Sequence, residues 1–147
     1  MITLAILKQM ESENVAGIVV DTNAFWEQAP LLKDGVPAEG IWLVTRGGSA
    51  SNSPKGLNLH TTVDFYVALA NKPKTETVHQ QILEWIIKNP CICELTGSVG
   101  GTTYDFTNIR IRPTTTPQNF VVSQNGLVVK VASASIIYDI SLSTTQY

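Results

Sequence analysis

The stretch LNLHTTVDFYVALA, residues 57 to 70, alternates large apolar side chains with smaller or polar ones for fourteen positions. Side chains alternate across a pleated strand, so Leu57, Leu59, Val63, Phe65, Val67 and Leu69 share one face. The other face carries Asn58, His60, Thr62, Asp64, Tyr66, Ala68 and Ala70 and is mixed. A strand of that length spans on the order of 45 Å, longer than a compact core of this size requires. One face must be buried, and the mixed face is left to meet a helix or a neighbour.

The chain has 147 residues, which predicts one domain over 1–147. Apolar residues make up 44% and charged residues only 15%, so the chain is globular rather than disordered. Charge that sparse, against about 25% in ordinary domains, is what buried interfaces show. A net charge of −2 argues against general binding of phosphate backbones, which needs a concentrated basic surface. Lys8, Gln9 and Glu11 interrupt the apolar start, and no run approaches the eighteen or more apolar residues of a membrane span, so neither a leader nor a membrane partner is expected.

All seven prolines fall between periodic segments and punctuate the chain. Ile2, Ala5, Ile6 and Met10 predict a short amphipathic helix from about Ile2 to Glu13. AGIVV, 16 to 20, reads as a brief strand, and IWLVTR, 41 to 46, as a buried one. GGSASNSPKG, 47 to 56, reads as a flexible loop of small polar residues. After the long strand, Thr77 and Gln80 have capping-box spacing, so a helix is expected from Thr75 or Thr77 to Asn89-Pro90. Its apolar stripe is Val78, Ile82, Leu83 and Ile86, flanked by Trp85.

The remainder reads as strands. In TTYDFTNIRIR the apolar parity changes between Tyr104/Phe106 and Ile109/Ile111, which predicts a bulge near Thr107 and Asn108. Parity changes likewise between Leu127, Val129, Val131 and Ile136, Tyr138, Ile140. Gly97 to Gly101 and Asn125-Gly126 read as turns. From Leu95 onward there are fifteen Ser or Thr and only five charged residues, which favours strands meeting another surface. The fold class expected is α+β: a largely antiparallel sheet with an N-terminal helix and one amphipathic helix packed on it.

Residues with chemistry are scattered. GIVVDTNAF resembles the opening of PIN-domain ribonucleases, which would make Asp21 a metal ligand, but no paired carboxylates follow, so a turn role is expected for Asp21. His60 and Asp64 lie four apart on one strand, too far for a direct hydrogen bond. Cys91 and Cys93, two apart, suit a reduced, partly buried pair. No nucleophile motif and no phosphate loop is present, so no catalytic residue, cofactor or metal is assigned. Arg110 and Arg112 share one strand face and could meet anionic groups.

The order of GIWLVTRGG, the long strand with its Lys-rich turn and helix, SVGGTTYDFTNIRIRPTTTP and NGLVVKVASASIIYD resembles the tail terminator proteins of long-tailed bacteriophages. That resemblance implies a structural virion protein: a homo-oligomeric, hexameric ring that caps the tail tube protein, stops its growth and offers a joining surface to the head-completion or connector protein. It implies assembly in the host cytoplasm, a place at the head-proximal end of the tail, and DNA passing through the lumen without sequence reading. The contact residues expected are Arg46, Ser49, Ser51, Asn52, Lys55, Arg110 and Arg112. The alternatives are a head-completion or tail tube protein, or a PIN-type metal-dependent ribonuclease.

Overall fold

The structure is a computed structural model and describes residues 2–27, 32–33, 36–37, 39–53, 56–114, 121–122 and 127–142. The elements in chain order are α1 (Ile2–Ser12), β1 (Ala24–Trp26), β2 (Leu32–Lys33), β3 (Val36–Pro37), β4 (Gly40–Ser53), β5 (Gly56–Leu69), α2 (Lys72–Lys88), β6 (Cys91–Val99), β7 (Thr102–Pro113), β8 (Val121–Val122) and β9 (Val128–Leu142). The main sheet has the order β1-β4-β5-β9-β7-β6, with β8 joining β9 beyond the end of β7 and β2-β3 forming a separate pair. All pairs are antiparallel except β1 with β4. This is the expected α+β class with two helices.

Helix α1 ends as its sequence dictates. Asn14 takes a left-handed φ of 56°, Val15 N–H reaches Met10 O and Asn14 N–H reaches Glu11 O, the paired bonds that close a helix C-terminus. Val15 then packs on the core that Met10 enters. The expected AGIVV strand does not form; only Val20 bridges to Ala24. Asn23 replaces it, accepting Val19 N–H at 2.8 Å and donating to Gly17 O at 2.9 Å, so this backbone is satisfied by a side chain instead of a ladder.

The long strand is where the sequence places it, and its odd face is the core: Val63, Phe65 and Val67 are fully buried with Ile6, Met10, Ile82, Ile86 and Phe106. Each such side chain contributes about 1.5–3 kcal/mol by leaving water. The expected loop 47–56 is instead mostly strand: β4 runs on to Ser53 and pairs with β5 down to Ser53–Gly56. A bulge between Arg46 and Gly48 lets it do so. Gly48, at φ 154°, has no room for a side chain, since a Cβ there would lie 2.6 Å from His60 O. Gly, Ser and Asn are poor strand formers in isolation, but β5 offers ladder partners all the way out.

Helix α2 begins earlier than expected. Asn71 is its N-cap, its side chain accepting Lys74 N–H at 3.2 Å, and Pro73 sits in the first turn where no N–H is missed. Thr75 is therefore interior and buried, its hydroxyl directed at Asn71 O and Val128 O. Of the expected stripe, Ile82 and Ile86 are buried and Val78 packs beside them, whereas Leu83 is half-buried outside the core and the flanking Trp85 is buried in its stead; Asn89 forms the C-cap.

Strands β6 and β7 turn through Gly100 and Gly101, both at positive φ. The bulge expected in β7 is present: the register shifts between Thr107 and Arg110, and Asn108 has φ 51°. The parity change in β9 has another cause. Pairing of β9 with β5 runs unbroken from Leu57–Ile140 to Leu69–Val128. Ala132, Ala134, Ile136 and Tyr138 enter the main core, while Leu127 and Val129 join a second apolar cluster with Trp42 and Ala68. Alternate residues of one regular strand thus serve two cores. The Asn125-Gly126 turn lies outside the described residues.

Candidate functional site: the outer face of the sheet

Side chains of directly paired residues share a face. Arg46 pairs with Thr62, Thr62 with Ser135 and Ser135 with Arg112, giving one row across four strands. The next row is Ser49, His60, Ile137, Arg110 and Cys91, and the next is Ser51, Asn58, Asp139, Thr107 and Glu94. Five of the expected contact residues, Arg46, Ser49, Ser51, Arg110 and Arg112, are therefore brought onto one polar face, on the side away from the main core. Asn52 pairs with Leu57 and belongs to the opposite face. Lys55 lies outside the described residues.

Hydrogen bonds cross-link this face. Asp64, nearly buried, receives Arg46 Nε at 3.0 Å and the Ser133 hydroxyl at 2.5 Å. Asp139 receives Asn58 Nδ2 on one oxygen and Asn108 Nδ2 on the other, each at 3.0 Å. His60 Nε2 and Ser135 Oγ are 2.7 Å apart. His60 and Asp64 have separate partners, as their spacing implies. Ser133, Ser135 and Asp139 are not among the residues expected here, and Asn58 and Asn108 are read from the sequence only as a strand-face and a bulge residue; the readable signal is the parity of β5 and β9, whose even and odd positions meet on this face.

Arg110 and Arg112 are exposed, and neither guanidinium has a hydrogen-bond or ion-pair partner among the described residues. They are two free forks on adjacent rows, suited to carboxylates or phosphates on an apposed surface. Cys91 and Cys93 are both exposed rather than partly buried; they lie on β6, which has β7 as its one strand partner among the described residues.

The other candidates are dispersed. Asp21 sits in a turn at φ 65°, its N–H bonded to Ala24 O. Among the described residues no group of three or more His, Cys, Asp or Glu could hold a metal ion, and no helix is long and apolar enough to cross a membrane. Two buried groups are shifted but lie in the core: burial, reinforced by Lys130, lowers His79, and burial with the Glu27 carboxylate pushes Tyr138 up to about 12. A depression of about 390 Å³ between the C-terminal ends of the helices is walled by Trp85, whose Nε1 donates to Glu13 at 2.9 Å.

The geometry is that of a hydrogen-bonded polar sheet face with two arginines that have no partner among the described residues, a surface for apposition. No family model matches the chain, and no curated protein matches it.

Proposed function

We propose that the protein is a structural assembly protein of the tail-terminator kind, which forms a ring on the end of a phage tail tube, stops its polymerisation and presents the other ring face to the head connector. The observation that carries this reading is the β4–β5 hairpin. Its β4 residues from Arg46 to Asn52 are all exposed, so they add nothing to the chain's own core. This exposed edge of the sheet, the β4 arm, lies beside a polar face and serves contacts with other subunits, and 15% charged residues suits a chain that buries much surface on assembly. Heterologous contacts that close on themselves produce a ring rather than a fibre.

Native mass spectrometry across a concentration range, followed by addition of purified tail tubes, tests the proposal. A sixfold species, or a ring seated on tube ends that blocks further tube growth, is the expected result. Tubes that keep growing in the presence of excess protein would overturn it.

A further inference from the structure

Among the described residues the sheet has two edges with no further strand beside them. On one side β1 pairs with β4 only at Ile41–Leu43, and Glu27 closes that contact by donating its N–H to Leu43 O and accepting Thr45 N–H at 3.0 Å. From Arg46 to Asn52, β4 has β5 as its one strand partner among the described residues. On the other side β6 has β7 as its one strand partner among the described residues. Unpaired edges of this length are templates for another strand, and proteins that must stay monomeric block them with lysines, prolines or very short strands. Neither Arg46–Asn52 nor β6 contains a lysine or a proline.

We infer that these edges pair with each other between copies of the chain, the β4 arm of one copy adding to β6 of the next. Three observations select this occupant. The charges permit this pairing: the one charged residue of the arm, Arg46, is compensated by Asp64, so the arm sets no like charge against Glu94, the one charged residue of β6, whereas β6–β6 pairing sets Glu94 against its own copy. The shapes permit it as well. A shallow, open depression of about 380 Å³ lies between α1 and β6, lined by Ala5, Lys8, Ser12, Glu94 and Thr96, so the approach to this edge is not filled by the helix. Between Arg46 and Asn52 the arm carries only Gly, Ser and Ala, so no large side chain hinders its approach to the β6 edge beside α1.

Direction agrees as well. The antiparallel pairs β4–β5, β5–β9, β9–β7 and β7–β6 leave β4 and β6 running the same way. A sheet continued from copy to copy by rotation about an axis along the strands joins them in parallel, the mode β4 already uses with β1. The contact is heterologous, each copy giving one edge and receiving the other. The inference rests on the self-assembly in the ring reading and names its surfaces; it does not depend on a tail tube.

The native thiols Cys91 and Cys93, exposed on β6, provide the reporter. Ser49→Cys and Ser51→Cys place a thiol on the arm, one variant at a time, and each is oxidised at hundreds of micromolar and run without reductant. The expected result is a ladder of dimers, trimers and higher species from at least one variant, absent from the wild type and abolished by Cys91→Ser with Cys93→Ser. Thr96→Lys, an exposed change on the β6 edge, is expected to weaken association in sedimentation by about tenfold or more. Oligomers that form without a ladder, or cross-linked dimers from the wild type alone, overturn the edge assignment while leaving the ring reading intact. A chain that stays monomeric at these concentrations also overturns it, and the ring reading then stands or falls on the capping of tubes.

Discussion

Ser133 and Asp64 face each other across the β5–β9 pair, hydroxyl to carboxylate at 2.5 Å, and both are buried. Arg46 completes the trio from the surface, its side chain 62% exposed against 9% for Asp64. Burial makes the two contacts unequal. The Arg46 pair is screened by water and worth at most about 1 kcal/mol, whereas an orphaned buried hydroxyl costs about 1–3 kcal/mol. Urea unfolding should therefore show Asp64→Ala to be the more damaging change, by about 2 kcal/mol or more, and Arg46→Ala to cost under about 1 kcal/mol. Equal losses would mean that the exposed ion pair dominates.

The bulge at Gly48 makes a sharper prediction. Its φ of 154° and the 2.6 Å approach of a Cβ to His60 O leave no way to place alanine without moving backbone. Gly48→Ala should lower the thermal midpoint markedly, with about 2 kcal/mol or more lost, while Gly47→Ala, at φ 65° with open space around it, should cost about 1 kcal/mol. Loss of the β4 arm in Gly48→Ala would also abolish the edge cross-link. Similar losses for the two glycines would show that the bulge relaxes freely.

Trp42 is fully buried on the outer face, its ring stacked on Phe25 at 5.8 Å, and its Nε1 has no hydrogen-bond partner among the described residues. A buried donor without an acceptor is a standing cost that removal of the nitrogen relieves. Trp42→Phe loses volume but also loses that cost, so its net effect should stay within about 1 kcal/mol. Phe106→Ala, in the main core, should cost about 3–5 kcal/mol. A Trp42→Phe loss as large as that of Phe106→Ala would show that packing outweighs the orphaned donor.

How much of this was legible follows from which signals are local. The alternation at 57–70 and the spacing of Val78, Ile82 and Ile86 are local periodicities; the strand stands where it predicts, and the helix forms but starts at Lys72, one turn earlier, because Asn71 and not Thr75 or Thr77 caps it. The Asn108 bulge was visible because Phe106 and Ile109 feed the same core from opposite parities. The same parity signal misleads in β9, where Val129 belongs to the Trp42 cluster on the other face; period alone does not say how many cores a sheet serves. Residues 47 to 53 have the composition of a loop, and their strand state comes from β5, a tertiary partner that overrides propensity. Arg46, Ser49, Ser51, Arg110 and Arg112 could each be named from sequence, but their alignment into rows depends on register through β5 and β9, which no single segment encodes.

His79 supplies a pH dependence with a defined sign. It is buried on α2 against β9, and burial together with the charge of Lys130 lowers its pKa from 6.5, outweighing the opposing influence of Val131 and Glu76. The folded chain therefore binds fewer protons at this site than the unfolded chain as pH falls through 6.5. The stability that neutral His79 contributes is fully present above that value and is lost progressively below it. Wild type and His79→Gln compared in urea between about pH 8 and pH 5 isolate this contribution from the carboxylates common to both. The gap between them should shift against the wild type as the solution is acidified. A gap that stays constant with pH would show that His79 titrates alike in the folded and unfolded chains, and that its burial imposes no penalty on the charged ring.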